Sequence, residues 1–261
     1  MPAFTVGVTS ARFEACKRGV AANYAAILAR HESGSVCVID ADPRSCDVGT
    51  RLGVADTSLH RFAAPKLSGE LEKLDARTLP ALDFPPLHVL PAEPAFVDLD
   101  YRLSYDAAVT AAREAFDVVV VDMPVGAGRP GPTLDGRLVD RLDGLLLTVT
   151  PDRAALAATL RHLELFAEAH HRGAIAPHVF IAVAVTGDEG SSALEADDVV
   201  EVLEDACVGT IPQLWGRALP NEGFGPTLGI AFLEDAIDRV HGALSARRVD
   251  RVAAALRAFH R

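Results

Sequence analysis

Lysine is nearly missing from this chain. Of its 25 basic residues only Lys17, Lys66 and Lys73 are lysines, and the formal net charge is −11. A protein that coats nucleic acid needs a basic footprint, so that function class is excluded and no specific nucleic-acid partner is expected. Cysteine is scarce too. Cys16, Cys37, Cys46 and Cys207 form no C-x-x-C pair, which argues against zinc and dithiol redox sites. No run of about 18 apolar residues suggests a membrane span. No signal-peptide pattern is visible at the start, and the expectation is a reduced, cytoplasmic protein. What is present is apolar residue: at 49% hydrophobic, 261 residues suffice for a sizeable core.

Apolar runs bounded by turn residues recur along the chain. Residues 5–8, 35–39, 87–90, 117–121, 144–150 and 179–185 read as strands, and 207–211 leads to Pro212. Helical patterns separate them at 17–30, 105–116, 152–169, 197–205 and 228–243. In the first, Val20, Ala21, Tyr24, Ala25 and Leu28 share one face; Asp152 caps the third. Alternation of this kind predicts a mostly parallel α/β sheet of seven or eight strands with helices on both faces. The strands at 5–9, 35–39, 118–121 and 145–149 are apolar on both faces and are expected at its centre. The proline-punctuated stretch 44–105 is taken as an excursion within one domain, 1–246, followed by a basic amphipathic helix or tail, 247–261.

Ligands of parallel sheets lie at the carboxyl ends of the strands. Residues 9–17, Asp40, Asp42 and Asp122 meet there. A phosphate loop of the form G-x-x-x-x-G-K-[ST] would place its lysine at Lys17, but its other positions hold Ala11, Cys16 and Arg18. No glycine occurs from 11 to 18. Inward-turned backbone N–H groups need glycine's freedom, Glu14 adds negative charge, and Arg18 cannot ligate magnesium.

The order of motifs resembles the MinD/ParA group of deviant Walker P-loop ATPases. Lys17 stands at the loop lysine, with Ala22-Asn23-Tyr24-Ala25 in the helix behind it. Val38-Ile39-Asp40-Ala41-Asp42-Pro43 resembles the D-x-D-P motif, and Arg51-Leu52-Gly53 the R-L-G after it. Leu87-His88-Val89-Leu90-Pro91-Ala92, the Walker B-like run 116–124, residues 145–156 and Gly209-Thr210-Ile211-Pro212 continue the likeness over nearly the whole chain. The resemblance implies a P-loop NTPase fold and a nucleotide-switched dimer. It implies that Lys17 holds phosphate oxygens, that Asp122 reaches magnesium through water with Asp40 beside it, and that Asp42 orients the attacking water. Arg12 stands where the group has a signature lysine reaching across the dimer; Arg18 stands where the magnesium-binding hydroxyl would be. The adenine-reading asparagine is absent after 185.

Two functions follow. One is a spatial-organisation or scaffold protein with a decayed nucleotide site, needing no cofactor and acting through protein partners. The other is an ATPase using ATP and magnesium and cycling between monomer and dimer at a membrane or other surface. A metabolic enzyme of the same fold, such as an amidoligase or an iron–sulfur reductase, fits less well. A homodimer across residues 9–17 stays open. So does a peripheral contact of 247–261 with the inner face of the plasma membrane, since Val249, Val252, Leu256 and Phe259 recur among arginines.

Overall fold

A computed structural model describes residues 3–12, 16–31, 34–42, 48, 52, 87–90, 99–127, 139–187, 194–212 and 231–259. Its elements are β1 (Phe4–Ser10), α1 (Cys16–His31), β2 (Val36–Asp40), β3 (Leu87–Leu90), α2 (Leu99–Ala115), β4 (Val118–Asp122), β5 (Gly144–Val149), α3 (Arg153–His171), β6 (Phe180–Gly187), α4 (Ala196–Leu203), β7 (Cys207–Pro212) and α5 (Ala231–Phe259). The strands form one seven-stranded sheet in the order β3-β2-β4-β1-β5-β6-β7. The four strands expected at the centre stand side by side as β2, β4, β1 and β5, none at an edge. The expected α/β P-loop NTPase fold is the one observed.

Contacts divide the chain into two compact units. The first holds β1 up to Val8, α1 from Lys17, β2, β3, α2 and β4. Its pairings are parallel, and β2 and β4 are buried along their whole length. That burial is why valine, cysteine and isoleucine run on without alternation. The register sets Asp40 opposite Asp122 and Val8 opposite Asp122. The backbone ladder continues past the strand ends: Ala41 N–H donates to the Asp122 carbonyl and Met123 N–H to the Val8 carbonyl, each at 2.9 Å.

The sequence predicts one apolar face on α1, but the helix is buried on nearly every side. Ala22, Asn23, Ala26, Ile27 and Ala29 are covered as fully as the expected face. Five alanines between 21 and 29 leave a thin helix that neighbours can approach from all round.

The second unit holds residues 9–12, β5, α3, β6, α4, β7 and α5. β5 opens on Gly144 because a Cβ there would fall 2.3 Å from the Phe180 ring. Asp152 caps α3 as expected, accepting from Ala155 N–H at 2.8 Å. α5 differs from the sequence reading, which ends that helix at 243: it runs unbroken to Phe259. Its pattern lacks a stop signal there, since no proline follows and the lone Gly242 does not break a helix held against β6 and β7. Arg247 donates to the Ile181 carbonyl at 3.1 Å and to the Asp205 carbonyl, and Arg248 lies 3.7 Å from Asp143. Most of the stretch 44–105 lies outside the described residues.

Candidate functional site

The first unit gathers four charged side chains at the carboxyl ends of β2 and β4. Lys17 enters from the first turn of α1, Asp40 and Asp122 end their strands, and Asp42 sits two residues beyond β2. All four are at most 1% exposed. The Lys17 ammonium donates to Asp42 Oδ2 at 3.1 Å, to Asp122 Oδ1 at 2.7 Å and to the Met123 carbonyl at 2.5 Å. A lysine ammonium has three N–H groups, and here each has an acceptor within the chain.

Asp40 does not touch the ammonium. Its Oδ2 accepts from Val48 N–H at 3.1 Å and its Oδ1 from Asp42 N–H at 3.4 Å. Burial pushes its carboxyl up to about 7, and the charge of Asp122 alongside adds to the rise; the two N–H donors and Lys17 oppose it. Near neutrality Asp40 is therefore only partly ionised.

Arg12 lies in the second unit. Its guanidinium is half exposed and stands 3.8 Å from Asp152, the cap of α3. The Ser10 hydroxyl donates to its carbonyl at 2.5 Å. Arg18 is in α1, but its side chain lies outside the described residues, as do Phe13, Glu14 and Ala15. Sequence reasoning named Lys17, Asp40, Asp42 and Asp122 and missed the Met123 carbonyl and the Val48 N–H. Backbone groups leave no side-chain signature; the Walker B-like position of Met123 was the only pointer to it.

As placed, the ammonium's three N–H groups are taken up by Asp42, Asp122 and the Met123 carbonyl, so a phosphate oxygen would have to displace one of these acceptors. Among the described residues no three histidine, cysteine or acidic side chains converge as a metal site.

The strand order, with a buried lysine and strand-end aspartates at one rim, defines the class as a parallel α/β fold of the P-loop NTPase kind. Solved structures narrow it. The ATP complex of a Cyanothece McdA variant superposes with a TM-score of 0.68 at 17% identity, covering 93% of this chain and 96% of that one. A ParA family ATPase from Chlorobium tepidum gives 0.67 at 19%, with 92% and 98% covered. The Aquifex aeolicus MinC:MinD cell division complex gives 0.63 at 18%, with 94% and 96% covered. The fold is that of the McdA, ParA and MinD ATPases. No protein-family model matches the chain, and no curated protein matches it in sequence.

Proposed function

We propose that this chain is a MinD/ParA-like spatial-organisation or scaffold protein that acts through protein partners and whose nucleotide site has decayed. The observation that carries the reading is the Lys17 ammonium, fully buried and committed to Asp42, Asp122 and the Met123 carbonyl. For a phosphate to take Lys17, the two carboxylates must give it up. Breaking a buried pair leaves uncompensated charge, at about 3–5 kcal/mol. A phosphate loop normally supplies that energy through several backbone N–H groups. The glycine-free run from 11 to 18 is poorly made for it, and position 18 supplies no hydroxyl. Hydrolysis further needs charge neutralisation around the transferred group, for which the sequence offers Arg12, held beside Asp152, and Arg18 on either side of the loop.

The active ATPase is the second reading. It is favoured by the convergence of Lys17, Asp42 and Asp122, residues 105 positions apart in sequence at their widest, and by the ATP in the McdA complex. Partner proteins are in keeping with the MinC bound to MinD in the Aquifex structure. Among the described residues no helix is long and apolar enough to cross a membrane. In 247–261, Arg247 and Arg248 face their own chain, which favours a helix held by the fold over one freed for lipid.

Calorimetry with magnesium and ATP separates the two readings. The expected result is no micromolar affinity in the native chain and only trace hydrolysis. Micromolar affinity that vanishes in Lys17→Ala would show a working phosphate site.

A further inference from the structure

The sequence of α5 carries two apolar stripes that do not line up. Leu233, Ala236, Ile237, Val240 and Leu244 are at most 2% exposed and share the side that covers β6 and β7. Val249, Val252, Leu256 and Phe259 make the second stripe. At 3.6 residues per turn its positions centre about 120° around the helix from the first. The sheet that buries the first stripe therefore does not reach the second. The course of α5 gives a second reason. Val240 stands against Gly209 of β7, where a Cβ would fall 3.3 Å from Val240 Cγ2. Further on, Arg247 donates to the carbonyls of Ile181, at the amino end of β6, and Asp205, just ahead of β7. Arg248 lies beside Asp143, just ahead of β5. The helix thus runs toward the amino ends of the strands and reaches them at Arg248. It continues unbroken to Phe259, about 16 Å further at 1.5 Å per residue.

We propose that the end of α5, from Val249 to Phe259, is a helical arm that pairs with the same arm of a second copy of this chain. Steps of three, four and three residues put 249, 252, 256 and 259 at the two inner positions of a coiled-coil heptad. The flanking positions 253 and 255 are alanine, which lets a second helix approach closely. Asp250, Arg251 and Arg257 fall at outer positions, where the like charges of two copies stay apart. A narrow seam of this kind suits a partner helix, whereas a lipid surface takes a broad apolar face. A chain of net charge −11 is also repelled by an anionic membrane. The arm is a basic segment on an acidic chain, so a second copy offers it a matching seam and a body of opposite charge. A free helix of this length would be marginal in water. Here it continues a helix already packed on β6 and β7, so its nucleation is complete. The seam is shorter than a standard interface needs, and the pairing is accordingly weak and concentration-dependent. It requires no nucleotide and does not rest on the proposed function.

Sedimentation velocity of the full chain without nucleotide tests it, over about a hundredfold range of concentration. Native protein is expected to pass from monomer to dimer within that range. Leu256→Asp should weaken the dimer by at least about tenfold, and Arg251→Glu/Arg257→Glu, at outer positions, should still form it. Melted at the lowest concentration, where the native chain is monomeric, Leu256→Asp should keep the native midpoint to within about 2 °C. A larger fall would place Leu256 in the chain's own core and overturn the proposal. A native chain that stays monomeric throughout overturns it, as does a dimer indifferent to Leu256→Asp or one lost only in the arginine variant. Flotation with vesicles of phosphatidylglycerol and phosphatidylcholine closes the test. Monomers that bind them through Leu256 and the two arginines would assign the arm to a lipid surface and overturn the pairing; native protein that leaves the vesicles alone while dimerising through Leu256 supports it.

Discussion

Replacing Asp40 by asparagine removes a carboxyl whose ionisation the fold resists. Its pKa rises from an ordinary 3.8 to about 7, burial being the main cause and the abreast Asp122 the second. Between about pH 4 and pH 7 the folded chain holds a proton there that the unfolded chain has lost. Stability therefore falls as pH rises through that window, and the whole penalty is present above it. At about 1.4 kcal/mol for each tenfold change in proton affinity, the ceiling is roughly 4 kcal/mol. Asparagine cannot ionise and carries no such slope. It keeps one carbonyl oxygen for the Val48 or Asp42 N–H, and its amide faces the other, a pH-independent loss of about 1–3 kcal/mol. Asp40→Asn should thus be less stable than the native chain at pH 4.5 and equal or more stable at pH 8. Urea unfolding followed by circular dichroism at pH 4.5, 6 and 8 measures the difference. Stability differences that stay constant over that range would refute the assignment of the raised carboxyl to Asp40.

Two further outcomes concern local structure. Asp152→Ala removes the acceptor for Ala155 N–H and the Thr150 hydroxyl and should cost about 1 kcal/mol, read as a lowered urea midpoint that Asp152→Asn largely retains; an unchanged midpoint in Asp152→Ala would count against the cap. Glu204 closes α4 at φ 45° and ψ −128°, a conformation that glycine adopts with less strain. Glu204→Gly should raise the melting temperature by about 2–4 °C, and a fall would show that the exposed Glu204 side chain stabilises the turn by more than its backbone strain costs.

The sheet was legible because a strand buried on both faces must be apolar at every position. Val118 to Val121 and Leu145 to Leu147 state their place without help from their neighbours, and the same physics put β2, β4, β1 and β5 inside the sheet. Strand ends were legible for a related reason: a buried run stops where a charge appears, so Asp40 and Asp122 marked the rim. Helix burial was less so. Alanine is compatible with exposure and with close packing, and only the neighbours of α1 decided that it is covered all round. The span of α5 was likewise settled by its packing on β6 and β7 and by Arg247 reaching two backbone carbonyls, contacts with segments 42 and 66 residues away. The sequence by itself named Lys17, Asp42 and Asp122 from their places in the motif order. That one ammonium would satisfy both carboxylates and the Met123 carbonyl was decided by the tertiary structure alone. The parallel order β2-β4-β1 brings residues 25 and 105 positions distant from Lys17 to the same edge, and a hydrogen bond formed at that range has no local pattern in the chain to announce it.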